Sequence, residues 1–106
     1  MQTVKNITSA TNLENEITKA SGKLVVVDFS ARWCLPCKKM APTIDAWAKQ
    51  FSDKVFLKVD IDACEDLANL YQIKTVPTFV FIRDDKIMQI VTGTSTAKLL
   101  SAMQKY

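Results

Sequence analysis

Two cysteines stand three positions apart in the segment Trp33-Cys34-Leu35-Pro36-Cys37. Thiols at this spacing come close enough to bond when the backbone between them turns. Such a pair has two principal uses, dithiol–disulfide exchange or half of a structural zinc site. Zinc needs two more ligands, normally Cys or His, yet the chain has no histidine and only Cys64 besides the pair. No metal is therefore expected. The lack of histidine also excludes Ser–His and Cys–His nucleophilic catalysis and any imidazole base. Three is an odd number of cysteines, so a full internal disulfide framework is excluded as well.

The pair falls where an apolar run ends and a helical pattern begins. At a helix start, unpaired N–H groups and the positive end of the macrodipole favour a thiolate. Cys34 is thus the expected nucleophile. Cys37, one turn further in, is expected to be better buried and to act as the resolving thiol. Pro36 lies in the first turn, where a missing N–H does little harm.

The elements that must position this pair follow from periodicity and punctuation. Residues 4–7 read as a short strand. Thr8, Ser9 and Thr11 offer caps for a helix bearing Leu13, Ile17 and Ala20, with Thr11-x-x-Glu14 as a capping-box pattern and Ser21-Gly22 as its stop. Residues 23–29 are almost all apolar, as expected of a central strand buried on both faces. A helix is expected from Cys34 to about residue 51, kinked at Pro42. Residues 55–59 form the next strand, and Asp62 is placed to cap a short helix carrying Leu67, Ala68, Leu70 and Tyr71. Residues 78–83 and 86–91 read as a hairpin turning at Asp84-Asp85, and Ser95 as the cap of a last helix with Leu99, Leu100 and Met103. The order βαβαβαββα demands crossovers between the first strands, so parallel pairing, with an antiparallel hairpin at the end. This is an α/β fold with a mixed five-stranded sheet and four helices distributed over both faces.

A length of 106 residues, 48% hydrophobic and 24% charged, fits one domain spanning residues 1–106. The net charge of +3 is too small to argue for nucleic acid. The longest apolar runs, residues 24–27 and 79–82, are about a quarter of a membrane span or less, and no basic stretch leads into an apolar segment at the N-terminus. A soluble, cytoplasmic monomer with no membrane partner is expected. In that reducing setting cysteines tend to be reactive rather than structural.

Taken together, residues 26–42, written Val26-Val27-Asp28-Phe29-Ser30-Ala31-Arg32-Trp33-Cys34-Leu35-Pro36-Cys37-Lys38-Lys39-Met40-Ala41-Pro42, resemble the active-site segment of the thioredoxin family. Phe56-Leu57-Lys58-Val59-Asp60-Ile61-Asp62, Val76-Pro77-Thr78-Phe79 and Gly93 match its later landmarks in order and spacing. The resemblance implies the thioredoxin fold and a protein-disulfide reductase that serves cell redox homeostasis. Cys34 would attack a substrate disulfide and Cys37 would release the product. Re-reduction would come from a thioredoxin reductase drawing on NADPH, with no cofactor on this chain. Asp28 matches the family's buried aspartate, a candidate for proton exchange with Cys37; read alone, it is equally a salt-bridged carboxylate at a strand end. Lys58 matches a position that in some members places an ammonium near that aspartate, against the plainer reading of an exposed strand lysine. Pro77 matches the cis-proline that sets Val76 beside the cysteines, where backbone pairs with a substrate strand. Trp33 and Gly93 match the other walls of the substrate groove. Two alternatives are a thioredoxin-fold binding or scaffold module and a glutaredoxin-like, glutathione-dependent enzyme.

Two features depart from the family pattern. The residues between the cysteines are Leu35-Pro36 where Gly-Pro is usual. Leucine is favoured over glycine in a helix by roughly 0.8 kcal/mol, so a stiffer first turn and an apolar knob at the substrate-facing rim are expected. Arg32, Lys38 and Lys39 surround the pair in sequence, with no acid from Phe29 through Thr43, and positive charge favours the thiolate. A protein more oxidising than its Leu35→Gly variant is expected, and Leu35 lies on the surface against which the resemblance implies a reductase docks. Cys64 reads either as a small packing residue or as a redox-regulatory thiol.

Overall fold

The computed structural model describes residues 2–106. Its elements are β1 (Lys5–Ile7), α1 (Ala10–Ala20), β2 (Val25–Ser30), α2 (Leu35–Gln50), β3 (Val55–Asp60), α3 (Glu65–Leu70), β4 (Thr78–Arg83), β5 (Lys86–Thr92) and α4 (Thr96–Lys105). The order is the one read from the sequence. Strands align as β1-β3-β2-β4-β5. β3 runs parallel to both β1 and β2, while β4 runs antiparallel to β2 and β5. The sheet is therefore mixed.

β2 lies at the centre, and all six of its residues are buried. Its alternation splits the core in two. Val25, Val27 and Phe29 join Leu57, Val59, Val80 and Ile82 beneath Leu13 and Ala20 of α1 and Leu67 of α3. Val26 joins Phe56, Phe79 and Phe81 on the other face, beneath Met40, Ile44 and Trp47 of α2 and Leu99 and Met103 of α4. Period-two alternation thus puts Asp28 and Ser30 on the α2 face of the sheet.

Local signals differ from expectation in two places. α1 is capped by Ser9, whose hydroxyl oxygen accepts from the Asn12 N–H at 3.0 Å. Asn12 reaches back and accepts from the Thr8 N–H at 2.9 Å. Thr11 falls inside the helix, so the box is closed by Asn12 rather than Glu14. α3 is preceded by Cys64, which gives no side-chain cap; Asp62 does not cap this helix. Instead Asp60 accepts from the Asp62 and Ala63 N–H groups at 2.9 and 3.4 Å, closing the turn that leaves β3. α2 spans Leu35–Gln50 with Pro42 inside it, as read.

The remaining turns behave as read. Ser21 and Gly22 end α1 with positive φ angles of 50° and 88°, and Ser95 caps α4 through its hydroxyl. Asp84 and Asp85 turn the hairpin with φ of 51° and 64°, the two left-handed positions that a type I′ turn requires. No helix among the described residues is long and apolar enough to cross a membrane.

Candidate active site

β2 ends at Ser30, and a short loop delivers Cys34 to the N-cap position of α2. The Cys34 N–H donates to the Ala31 carbonyl at 3.2 Å, which closes that loop. Pro36 occupies the first turn and removes one of its orphan donors. The next donor, the Cys37 N–H, points at the Cys34 Sγ, 3.2 Å away. A sulfur thus takes the place usually filled by a capping hydroxyl, and negative charge on it is stabilised by that N–H and by the helix dipole. Cys34 and Cys37 are disulfide-bonded, with Cα atoms 5.3 Å apart.

Burial does not separate the two cysteines. Cys34 is 4% exposed and Cys37 is 6% exposed, so the expected deeper burial of Cys37 is not found. Ala31 and Val76 pack against Cys34, a cover that its place at the helix start does not reveal. Their surroundings do differ. Cys34 Sγ lies 3.8 Å from the Val76 carbonyl oxygen. Val76 and Ile61 pack on the small cluster of Ala31, Cys34 and Cys37.

The Val76–Pro77 peptide is cis. The Pro77 carbonyl accepts from the Gly93 N–H at 2.9 Å, tying the loop before β4 to the loop before α4. Gly93 has φ of +91°, and a Cβ there would meet nothing within 4 Å. Glycine is thus needed for its backbone conformation rather than for space. Trp33 stands 66% exposed beside Cys34. Its indole N–H donates to Asp62 Oδ2 at 2.9 Å. Asp62 was not singled out as a site residue. The available signal was that an indole donor usually finds an acceptor, with Asp60-Ile61-Asp62 as the nearest acids at a strand end.

Asp60 was also missed. Its Oδ2 lies 3.7 Å from Arg32 Nε. The stretch free of acids along the chain is therefore partly compensated through space, from the neighbouring strand. Arg32 is almost fully exposed and Asp60 partly so, and the separation is long, so this pair contributes at most about 1 kcal/mol.

Asp28 is 5% exposed, and its Oδ1 has no hydrogen-bond partner among the described residues. Burial pushes its carboxyl up to about 6, against a smaller opposing pull from Lys58 and a small push from Asp45. Lys58 is Asp28's register partner on β3 and is half-buried, so it is not the exposed strand lysine of the plainer reading. A cleft of about 680 Å³ opens on this side, lined among others by Ser30, Arg32, Cys37, Lys38, Lys58 and Asp60. Asp28 and Lys58 thus share the sheet face that α2 covers, and Cys37 of α2 lines the cleft together with Lys58. Among the described residues no group of three His, Cys, Asp or Glu is gathered to hold a metal ion.

Cys64 is not part of this site. It is 3% exposed, and its thiol lies 3.6 Å from the Ile7 carbonyl oxygen. Burial, with smaller contributions from Asp66 and Asp60, pushes the thiol up from its ordinary value. Its environment disfavours the thiolate.

Comparison with known proteins agrees with this geometry. The pattern describing the family Thioredoxin matches residues 4–105. Thioredoxin of Homo sapiens is 40% identical over 96 residues, covering 91% of this chain and 91% of that protein. Thioredoxin-T of Drosophila melanogaster is 41% identical over 96 residues; the match covers 90% of this chain but 61% of that longer protein. The X-ray structure of Fasciola hepatica thioredoxin superposes with a TM-score of 0.94 at 38% identity, covering 96% of this chain and 98% of that one. Disulfide-bearing proteins and thioredoxin reductase are the general partners of such proteins. With the fold, the helix-capping Cys34–Cys37 disulfide and these likenesses in agreement, the chain belongs to the thioredoxin family of protein-disulfide oxidoreductases.

Proposed function

We propose that the chain reduces protein disulfides with Cys34 as nucleophile and Cys37 as resolving thiol. The observation that carries the assignment is the Cys37 N–H held 3.2 Å from Cys34 Sγ at the start of α2. In the dithiol form this donor and the helix dipole stabilise a thiolate on Cys34 in preference to Cys37. That thiolate attacks one sulfur of the substrate disulfide. A Cys34–substrate bond forms, the substrate S–S bond breaks, and the departing sulfur takes up a proton. Cys37 then gives its proton to Asp28 and attacks Cys34 Sγ. The mixed disulfide breaks, the second substrate sulfur leaves as a thiolate, and the Cys34–Cys37 disulfide remains. Two electrons have passed from the pair to the substrate.

Asp28 suits the proton step because burial holds its carboxyl near 6, within reach of neutral pH. Lys58, its cross-strand neighbour, limits that rise. Val76 and Pro77 offer backbone beside Cys34 on which a substrate strand pairs, and Trp33 and Gly93 flank it. Return to the dithiol is assigned to a thioredoxin reductase using NADPH, so that the chain itself needs no cofactor. It acts as a monomer in the cytoplasm, away from nucleic acid and membranes, and Cys64 takes no part in turnover.

The test is insulin disulfide reduction with dithiothreitol, wild type against Cys34→Ser and Cys37→Ser. Cys34→Ser falls to the uncatalysed rate, and Cys37→Ser, reduced, freed of dithiothreitol and then mixed with insulin, is trapped as a mixed disulfide visible by mass. Equal rates for wild type and Cys34→Ser would identify a scaffold instead.

A further inference from the structure

A second cleft, of about 290 Å³, opens between Leu35, Pro36, Lys39, Met40 and Thr94. Its position ties it to the chemistry. Leu35 and Pro36 are the two residues between the cysteines, and Thr94 adjoins Gly93, whose N–H is bonded to the Pro77 carbonyl. A polypeptide whose disulfide reaches Cys34 therefore passes along its rim. The floor is apolar, with Met40 buried and Leu35 left 59% exposed at the first position of α2. A leucine so exposed stabilises little in the free protein, and covering it with apolar surface is favourable. The volume is too small for a cofactor and ample for one apolar side chain.

Charge identifies the neighbour of that side chain. Lys39 lines the cleft, is exposed, and makes no ion pair among the described residues. No acid occurs from Phe29 through Thr43. No acid lines this cleft, and Asp60 and Asp62 are engaged elsewhere, by Arg32 and by the Trp33 indole.

Resting on the exchange reaction above, we propose that this cleft is a specificity subsite. It takes a large aliphatic side chain adjoining the attacked cysteine of the substrate, with an acidic residue beside it held by Lys39. Leu35 and Lys39 are its specificity-determining residues.

The test is kcat/KM for short peptide disulfides whose two residues on either side of the attacked cysteine are drawn from Leu, Ser, Asp and Lys, with insulin as reference. Peptides combining Leu with Asp are reduced fastest by wild type. Exchanging Asp for Lys lowers the rate about two- to fivefold, the range of an exposed ion pair, and more at low salt. Lys39→Glu reverses the Asp-over-Lys preference, and Leu35→Gly erases the Leu-over-Ser preference while leaving the charge preference. Wild-type rates within a factor of about two across the set, with insulin reduced normally, overturn the subsite and leave the exchange reaction standing. Failure to reduce both insulin and every peptide overturns both.

Discussion

Replacing Asp28 by Asn removes a buried charge while keeping the side chain's size. The folded carboxyl is raised from 3.8 to about 6, chiefly because burial penalises the anion. A gap of about two pKa units at 1.36 kcal/mol each is about 3 kcal/mol. The sign follows from proton counting. Between about pH 4 and 6 the unfolded chain has released a proton that the folded chain keeps, so wild-type stability falls as pH rises through this window. Above it, the full cost of about 3 kcal/mol persists. Asparagine carries no such cost, and any penalty for its unpaired amide is independent of pH. Because the unfolded carboxyl is already about half ionised at pH 4, the stability difference, variant minus wild type, should increase by somewhat more than ~2 kcal/mol from pH 4 to pH 7. For a domain of this size that corresponds to a relative shift in Tm of roughly 10–20 °C. Guanidinium unfolding of the two disulfide-bonded proteins at several pH values measures it. A difference that stays constant with pH would refute the reasoning, since it would mean that Asp28 is not desolvated in the fold. The same variant should reduce insulin more slowly near neutral pH, because Cys37 loses its proton acceptor. Lys58→Met should steepen the wild-type pH dependence by removing the charge that opposes the rise.

Other perturbations address separate links. In a Cys34→Ser/Cys37→Ser background, Cys64 should react with iodoacetamide at least tenfold more slowly than an exposed cysteine in a short peptide at pH 8, with full reactivity on unfolding. Rapid labelling of the folded protein would restore the regulatory reading. Gly93→Ala should cost about 1–2 kcal/mol in chemical unfolding, the cost of a left-handed L-residue, because φ is +91° while space for the Cβ is open; no loss would show that the loop relaxes freely. Leu35→Gly loosens the turn that holds the Cys37 N–H on Cys34 Sγ. Equilibration with glutathione should find the wild type more oxidising by up to about 17 mV, which is roughly 0.8 kcal/mol for a two-electron couple. An equal or more reducing wild type would contradict this.

Much of this molecule could be read along the chain because the signals concerned are local. The Leu24–Phe29 run, the cysteine pair at a helix start, the Asp84-Asp85 turn and the Ser95 cap each depend on neighbours within a few residues. Period-two and period-3.6 patterning then places side chains on faces, which is why the element order and the two-faced core followed. Errors arose where several local partners compete. Ser9, Thr11 and Asp62 are all adequate caps, and only the path of the entering chain chose Ser9 and assigned Asp62 to Trp33.

What tertiary structure alone decided concerns groups distant in sequence. Residue types and spacing determined that Cys34 and Cys37 can exchange disulfides, that histidine chemistry is excluded, and that the pair caps a helix beside a central strand. They did not determine that Cys34 is as buried as Cys37, since Val76 covers it from a loop 42 residues away. Nor did they show that Asp60 compensates Arg32, that Lys58 stands beside Asp28, or that Leu35, Lys39 and Thr94 enclose a cleft. Burial and charge act through space, over a few ångströms and in a dielectric set by packing. Their effects become defined only once strand register and crossover bring the partners together.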